Sequence, residues 1–130
     1  MQCTKPVIIY TNPEKPQGMI VPCGRCLACR IKKRTEWAMR ITHELDYYDY
    51  TSFITLTYTD EYLPLSDKGY PTLRKKHLQD FIKRLRRNWP EPIKYFACGE
   101  YGDQTQRPHY HAILMGIGLL PEHRLYVMRC

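Results

Sequence analysis

The sequence predicts an α+β domain in which an antiparallel sheet follows a cysteine-rich helical segment. From residue 52 onward, strand and helix patterns follow one another in the order β-α-β-β. Before them, three cysteines at C-x-x-C-x-x-C spacing precede a long helical pattern. A length of 130 residues suits one small domain with a short appended module and excludes a large multi-domain enzyme. We divide the chain into a Cys-rich segment with a basic helix at 1–50, a core at 51–118 and a shortened tail at 119–130.

The first helix is predicted from Leu27 to Tyr48, where apolar residues recur at spacings of three, four and seven. Residues 1–22 are interrupted by prolines and contain one short strand candidate, Val7 to Tyr10. This part of the chain therefore predicts little regular structure before the helix.

The core begins with the β-branched and aromatic run from Ser52 to Tyr58, which predicts a central strand. A basic amphipathic helix is predicted over 72–88, with Thr72 as its N-cap. The runs Ile93 to Glu100 and Pro108 to Met115 predict two further strands. The polar turn at 103–106 joins them, which indicates a β-hairpin.

The chain carries a formal charge of +7, and its excess cations are concentrated. The stretches 25–40 and 74–87 hold 13 of the 20 Lys and Arg residues, with one acid in each. Such surfaces attract polyanions, so we expect nucleic acid as the partner; the alternative is a pair of solvated helix faces. The residues expected to contact DNA are Arg30, Lys33, Arg34, Arg74, Lys75, Lys83, Arg84, Arg86, Arg87 and Arg107.

No part of the sequence predicts a membrane span or a secretory leader. The longest apolar run, Ala112 to Leu120, is about half of the ~18 residues that a span needs. The N-terminus lacks an apolar stretch of signal-peptide length, so secretion is not expected.

The cysteines predict a metal site. Without a secretory leader we expect a reducing compartment, in which metal ligation is favoured over disulfides. Cys23, Cys26 and Cys29 supply three of the four ligands of a structural zinc, and Cys3 is the natural fourth. The alternative is four reduced thiols packed at the start of the helix.

A second candidate metal site lies in the hairpin. His109 and His111 are two residues apart on one strand and therefore share a face. Folding about the 103–106 turn brings Glu100 opposite roughly position 109. Two imidazoles and one carboxylate with open coordination positions suit a divalent ion that acts on phosphate oxygens.

These residues resemble a known family, the HUH endonucleases that initiate rolling-circle replication. His109-Tyr110-His111 has their His-hydrophobic-His form, and Gly99-Glu100-Tyr101-Gly102 looks like their metal-binding carboxylate segment. The β-α-β-β order is similar to their core. Taken jointly, several segments resemble the initiators of small single-stranded DNA phages of the gokushovirus branch of the microviruses. These segments are Cys23 to Arg30, Trp37, the strand Phe53-Ile54-Thr55-Leu56-Thr57-Tyr58, Lys83 to Arg86, and 98–111.

The resemblance implies a site-specific endonuclease and strand transferase acting on single-stranded origin DNA in the cytoplasm of a host bacterium. Glu100, His109 and His111 would hold Mg²⁺ or Mn²⁺, and a tyrosine would form a phosphodiester with the cut strand. The host helicase and polymerase would then be its partners. The 19 residues after His111 contain one tyrosine, Tyr126, which the resemblance assigns as nucleophile. The family's second tyrosine is replaced by Cys130, and the chain looks shortened at this end.

Two other functions fit the residues. One is a non-catalytic module that contains zinc and binds single-stranded DNA. The other is a metal-dependent phosphodiesterase that uses water as nucleophile; it would want further carboxylates near the histidines, and only Asp103 is close in sequence.

Overall fold

A computed structural model describes residues 2–128 and divides the chain into two units, Met1–Glu44 and Leu45–Cys130. Cys130, the second position of the proposed tyrosine pattern, lies outside the described residues. No helix in the described part of the chain combines the length and apolarity that crossing a membrane requires.

The first unit consists of a small hairpin and a long helix. Strands β1 (Val7–Ile9) and β2 (Met19–Val21) pair antiparallel, and helix α1 runs over Leu27–Leu45. The prediction of the first strand is confirmed, whereas the second was missed because three residues carry no readable periodicity. Gly18 closes the hairpin at φ 79°, where a Cβ would lie 2.5 Å from the Ile8 side chain.

The second unit is built on a three-stranded antiparallel sheet. Its strands are β3 (Thr51–Leu56), β4 (Lys94–Tyr101) and β5 (Pro108–Met115), in the order β3-β5-β4. A short 3₁₀ turn over Asp60–Tyr62 and helix α2 (Lys75–Asn88) lie between β3 and β4. The predicted α+β class with an antiparallel sheet is therefore confirmed, and β5 is the central strand.

Helix α2 covers one face of the sheet and leaves the other open. Phe81, Ile82 and Leu85 of α2 pack in one core with Ala112 and Leu114 of β5. Alternate β5 residues 108, 110, 112 and 114 are buried, whereas 109, 111 and 113 are half-buried. The two histidines therefore lie on the face that α2 does not cover, which we call the open face.

The end of the described chain folds into a helix, in contrast to the short tail predicted at 119–130. Helix α3 spans Pro121–Met128, and its Val127 packs against the core. His123, which carried no prediction, is 7% exposed and accepts a hydrogen bond from the Gly118 amide at Nδ1 (2.9 Å). An eight-residue helix is too short for apolar periodicity to reveal, and Pro121 fits its first turn.

We expect Leu85→Ala to lower the free energy of unfolding of the second unit by about 2–5 kcal/mol. Leu85 is fully buried at the centre of the core, so alanine leaves a cavity beneath the sheet. Urea unfolding monitored by circular dichroism measures the change. Leu125→Ala, at a position 54% exposed, is the matched control and should shift the midpoint little. Equal midpoints for the two variants would contradict this account of the core.

Candidate functional site

The hairpin places Glu100, His109 and His111 together on the open face. In the register of β4 and β5, Glu100 pairs directly with His109, and Cys98 pairs with His111. The predicted pairing across the 103–106 turn is thus confirmed. We call Glu100, His109 and His111 the triad; that it holds a metal stays a prediction.

Three potential ligand atoms of the triad converge. The Nε2 atoms of His109 and His111 are 3.2 Å apart, and Glu100 Oε2 lies 3.5 Å from the first and 3.2 Å from the second. Donors bound to one ion at about 2.1 Å, at right angles to each other, lie roughly 3.0 Å apart. The observed separations are close to this value, so the triad fits a single small cation.

Hydrogen bonds behind the histidines orient both rings. Nδ1 of His109 lies 3.1 Å from the carbonyl oxygen of Arg107, and because a carbonyl only accepts, Nδ1 carries the proton. The Nε2 lone pair of His109 then points at Glu100. Nδ1 of His111 contacts the Thr55 hydroxyl at 2.9 Å, and the Phe53 ring stacks on the His111 ring at 5.5 Å between centroids.

Thr55 is a residue that the sequence analysis quoted in a motif but gave no role. Its strand pairs with β5 so that Thr55 lies opposite His111. Partners that fix the second ring nitrogen of a histidine are a regular part of metal sites. Strand alternation could have revealed it once the pairing of β3 with β5 was known.

Arg107, expected to contact phosphate, is already engaged within the chain. Its guanidinium forms a 2.8 Å ion pair with Asp60 and donates a 2.7 Å hydrogen bond to the carbonyl of Tyr58. These contacts tie the 3₁₀ turn to the start of β5, next to the triad. We therefore assign Arg107 a positioning role in the fold.

The other predicted DNA-binding cations fall into two groups in the second unit. Arg74 donates to the carbonyl of Leu65, and Arg86 donates to that of Ile93, so both also support the fold. Lys75, Lys83 and Arg87 are exposed on α2, as is Arg84. Because α2 covers the opposite face of the sheet, these cations do not share the open face with the triad. In the first unit, Arg30, Lys33 and Arg34 are exposed on α1.

The structure does not bring Tyr126 to the triad. The Tyr126 ring packs edge-on against Trp89 (5.0 Å), whose indole donates a hydrogen bond to the carbonyl of Gly116 (3.1 Å). Gly116 lies five residues beyond His111, roughly 17 Å at about 3.3 Å per strand residue. Strand alternation also turns the three tyrosines of β4 and β5 away from the open face, namely Tyr95, Tyr101 and Tyr110.

The four cysteines predicted as zinc ligands lie together in the first unit. The sulfur of Cys3 is 3.5 Å from that of Cys23 and 3.8 Å from that of Cys26, and all four, including Cys29, lie within 4.8 Å of one another. Sulfurs bound tetrahedrally to zinc at about 2.3 Å lie roughly 3.8 Å apart. The cluster could therefore bind a metal ion such as zinc.

Backbone amides favour ionised sulfur in this cluster. Hydrogen bonds from the amides of Cys29 and Thr4 lower the pKa of the Cys26 thiol to about 5. Amides of Arg25 and Cys26 likewise lower the pKa of Cys23. The Gly24 amide also lowers the pKa of Cys29, but desolvation and the neighbouring thiols outweigh it and raise that pKa to about 12. Four close sulfurs cannot all ionise without a compensating cation, which metal binding would provide.

Comparison with known proteins links the second unit to replication proteins. The model of a family described as replication-associated protein ORF2 matches residues 51–127. Replication-associated protein ORF2 of Spiroplasma virus 4 is 38% identical over 104 residues, which cover 76% of this chain and 32% of that protein. Replication-associated protein VP4 of Bdellovibrio phage phiMH2K is 33% identical over 130 residues, covering 88% of this chain and 41% of that protein.

Replication-associated protein ORF4 of Chlamydia phage 1 is 34% identical over 100 residues, covering 74% of this chain and 24% of that protein. The chain thus spans about a quarter to two fifths of the length of these relatives. No solved structure matches it significantly.

Proposed function

Because the chain belongs to the replication-associated protein ORF2 family, we propose that it initiates phage DNA replication by nicking and rejoining single-stranded origin DNA. The observation that carries this proposal is the convergence of Glu100, His109 and His111 on an open sheet face. The second unit would then be a core of the HUH endonuclease type. The partners in this proposal are the origin strand and the host helicase and polymerase, in the host cytoplasm.

The triad would hold Mg²⁺ or Mn²⁺. When bound, such an ion polarises a phosphate oxygen and offsets the charge that develops in the transition state. The protein keeps both histidines aligned through the Arg107 carbonyl and Thr55, while Glu100 contributes the negative charge. One carboxylate and two neutral imidazoles leave room on the exposed side for a phosphate oxygen.

The basic surfaces supply the affinity for the strand. Exposed Lys and Arg side chains of α1 and α2 contact phosphates without reading sequence, so binding should weaken as salt rises. Single-stranded DNA suits the open face, because unpaired bases leave the phosphate accessible and can stack on an exposed ring such as Phe53, which is 63% exposed.

The proposed reaction needs a tyrosine hydroxyl on the open side of the triad. Tyr126 could take this role only if α3 left Trp89, because in the described conformation its ring packs there. Tyr58 is a poor substitute: desolvation raises its pKa to about 12, and its hydroxyl contacts Nδ1 of His77 (3.0 Å). The proposal therefore assigns the metal and the strand to this chain's described residues and makes the attacking group an experimental question.

A denaturing gel separates the candidate reactions. The protein is incubated with labelled single-stranded DNA and Mn²⁺, and a protein-linked product is expected. Cut DNA without a linked product would indicate attack by water, as in a phosphodiesterase. Loss of the linked product in Tyr126→Phe would assign that tyrosine as the attacking group and require α3 to move.

The second candidate function is a zinc-containing module that binds single-stranded DNA without cutting it. The sulfur geometry of the cysteine cluster and the remote position of Tyr126 favour it. A mobility shift without cleavage, unaffected by changes in the triad, would support this function over nicking.

We expect Thr55→Val to weaken Mn²⁺ binding by roughly 10-fold, the usual cost of losing a hydrogen bond behind a metal ligand. Valine keeps the shape and strand preference of threonine but cannot bond Nδ1 of His111. Isothermal titration calorimetry with Mn²⁺ measures the effect. Thr57→Val changes an exposed threonine two residues away and is the matched control. Identical affinities for the two variants would contradict a role for Thr55.

A further inference from the structure

A cleft of about 410 Å³ lies beside the hairpin turn and is not used by the proposed reaction. Its walls come from the loop before α2 and from the connection between β4 and β5. Its main lining residues are Ser66, Tyr70, Thr72, Tyr101, Thr105 and Gln106.

The lining combines aromatic faces with hydrogen-bonding groups. Tyr70 is 69% exposed and Tyr101 is 40% exposed, so both offer ring surface to a ligand. The Tyr101 hydroxyl accepts a hydrogen bond from the Leu73 amide (3.1 Å), which fixes its ring against the loop. Flat aromatic rings beside hydroxyl and amide groups suit an unpaired nucleobase, which stacks on one and is read by the other.

Gln106 is held in an unusual backbone conformation at this cleft. Its φ is 53°, the only positive φ at a described residue other than glycine. This left-handed conformation costs energy for a residue with a side chain. The Gln106 amide donates to the Gly102 carbonyl (2.7 Å), and the Gly102 amide donates to the Arg107 carbonyl (3.0 Å). The turn thus keeps the Gln106 side chain at the cleft at the expense of backbone strain.

The cleft lies between the triad and the basic helix. Tyr101 directly follows Glu100 on the edge strand β4 and leaves it on the opposite side. Thr72 stands three residues before α2 begins at Lys75. A strand that passes from the triad over the edge of β4 would meet the cleft first and the exposed cations of α2 next. This order explains why those cations face away from the triad.

We propose that this cleft binds an unpaired nucleobase of the DNA strand one or two nucleotides from the phosphate at the triad, and so contributes to sequence preference. This inference rests on the proposed function, because it needs the strand to pass the triad. The ligand class is a single-stranded DNA base held by stacking on Tyr70 and Tyr101 and by polar contact with Gln106.

Photocrosslinking locates the base. The full chain is irradiated with a single-stranded 12-mer that contains 5-iodouracil, and its tryptic peptides are analysed by mass spectrometry. Trypsin cleaves after Lys68 and Arg74, giving a peptide in which Tyr70 is the one aromatic residue. Crosslinks at Tyr70 or Tyr101 are expected. Crosslinks confined to other residues would overturn the inference.

Binding measurements with dA₁₂, dC₁₂, dG₁₂ and dT₁₂ test the energetics. Fluorescence anisotropy should show Tyr70→Ala weakening the tightest complex about 5-fold or more, with Tyr70→Phe close to wild type. Gln106→Gly, which relieves the strained φ, should reduce the differences among the four oligonucleotides. Tyr47→Ala, at a position 82% exposed, is the control. Wild-type affinity and preference in the Tyr70→Ala and Gln106→Gly proteins would overturn the inference alone, whereas a wild-type chain that binds no oligonucleotide would overturn the proposed function as well.

Discussion

Replacing His109 by alanine is expected to abolish Mn²⁺-dependent formation of a protein-linked DNA product, by about 1,000-fold or more. The substitution removes one of three converging donors and leaves Glu100 and His111 unable to hold the ion tightly. Affinity for the same single-stranded DNA in EDTA should stay within about twofold, because the cations that bind phosphates lie on the helices. Product yield on a denaturing gel and anisotropy in EDTA measure the two effects.

The matched control for this prediction is His43→Ala, which removes an exposed histidine from α1. It should leave both readouts unchanged. A His109→Ala protein that cuts at the wild-type rate would show that the triad does not hold the catalytic ion. Equal loss of DNA binding and cutting would instead indicate that the variant is misfolded.

Removing the metal from the cysteine cluster is expected to unfold the first unit. Among the described residues 2–44, Ala28 is the one buried residue, so this unit has almost no apolar core. Small units of this kind depend on a metal or on disulfides for stability. A structural zinc contributes on the order of 10 kcal/mol at neutral pH, more than such a unit can replace by packing.

Cys26→Ser tests this dependence. The variant should lose bound zinc, measured by atomic absorption, and residues 1–44 should become sensitive to trypsin, while the second unit keeps its protease resistance. Cys98→Ser is the matched control, because Cys98 is an exposed thiol on β4 outside the cluster. Full zinc content and unchanged protease resistance in Cys26→Ser would contradict a structural metal at this cluster.

Local patterns in the sequence predict both groups of potential metal ligands. Strand alternation places His109 and His111 on one face, and the length of the turn brings Glu100 opposite His109, as the register shows. The spacing of Cys23, Cys26 and Cys29 predicts that they face one another. Such predictions succeed because they depend on geometry over a few residues.

Features that depend on tertiary packing could not be predicted in this way. The pairing of β3 with β5 joins Thr55 to His111 across 56 residues, and no local pattern specifies it. The ion pair of Arg107 with Asp60 likewise depends on where the loop after β3 lies. Helix α3 forms because Val127 and His123 find buried positions in a core that other elements build. The face of the sheet that α2 covers also decides that its cations lie away from the triad.

The central claim, one divalent ion held by Glu100, His109 and His111, is tested most directly by NMR of the histidine side chains. The chain has five histidines, and a bound Mn²⁺ broadens the signals of nearby nuclei. Substoichiometric Mn²⁺ added to the zinc-loaded protein should broaden the ring signals of His109 and His111 and leave those of His43, His77 and His123 sharp. Equal broadening of all five, or sharp signals from His109 and His111 with Mn²⁺ present, would contradict the claim.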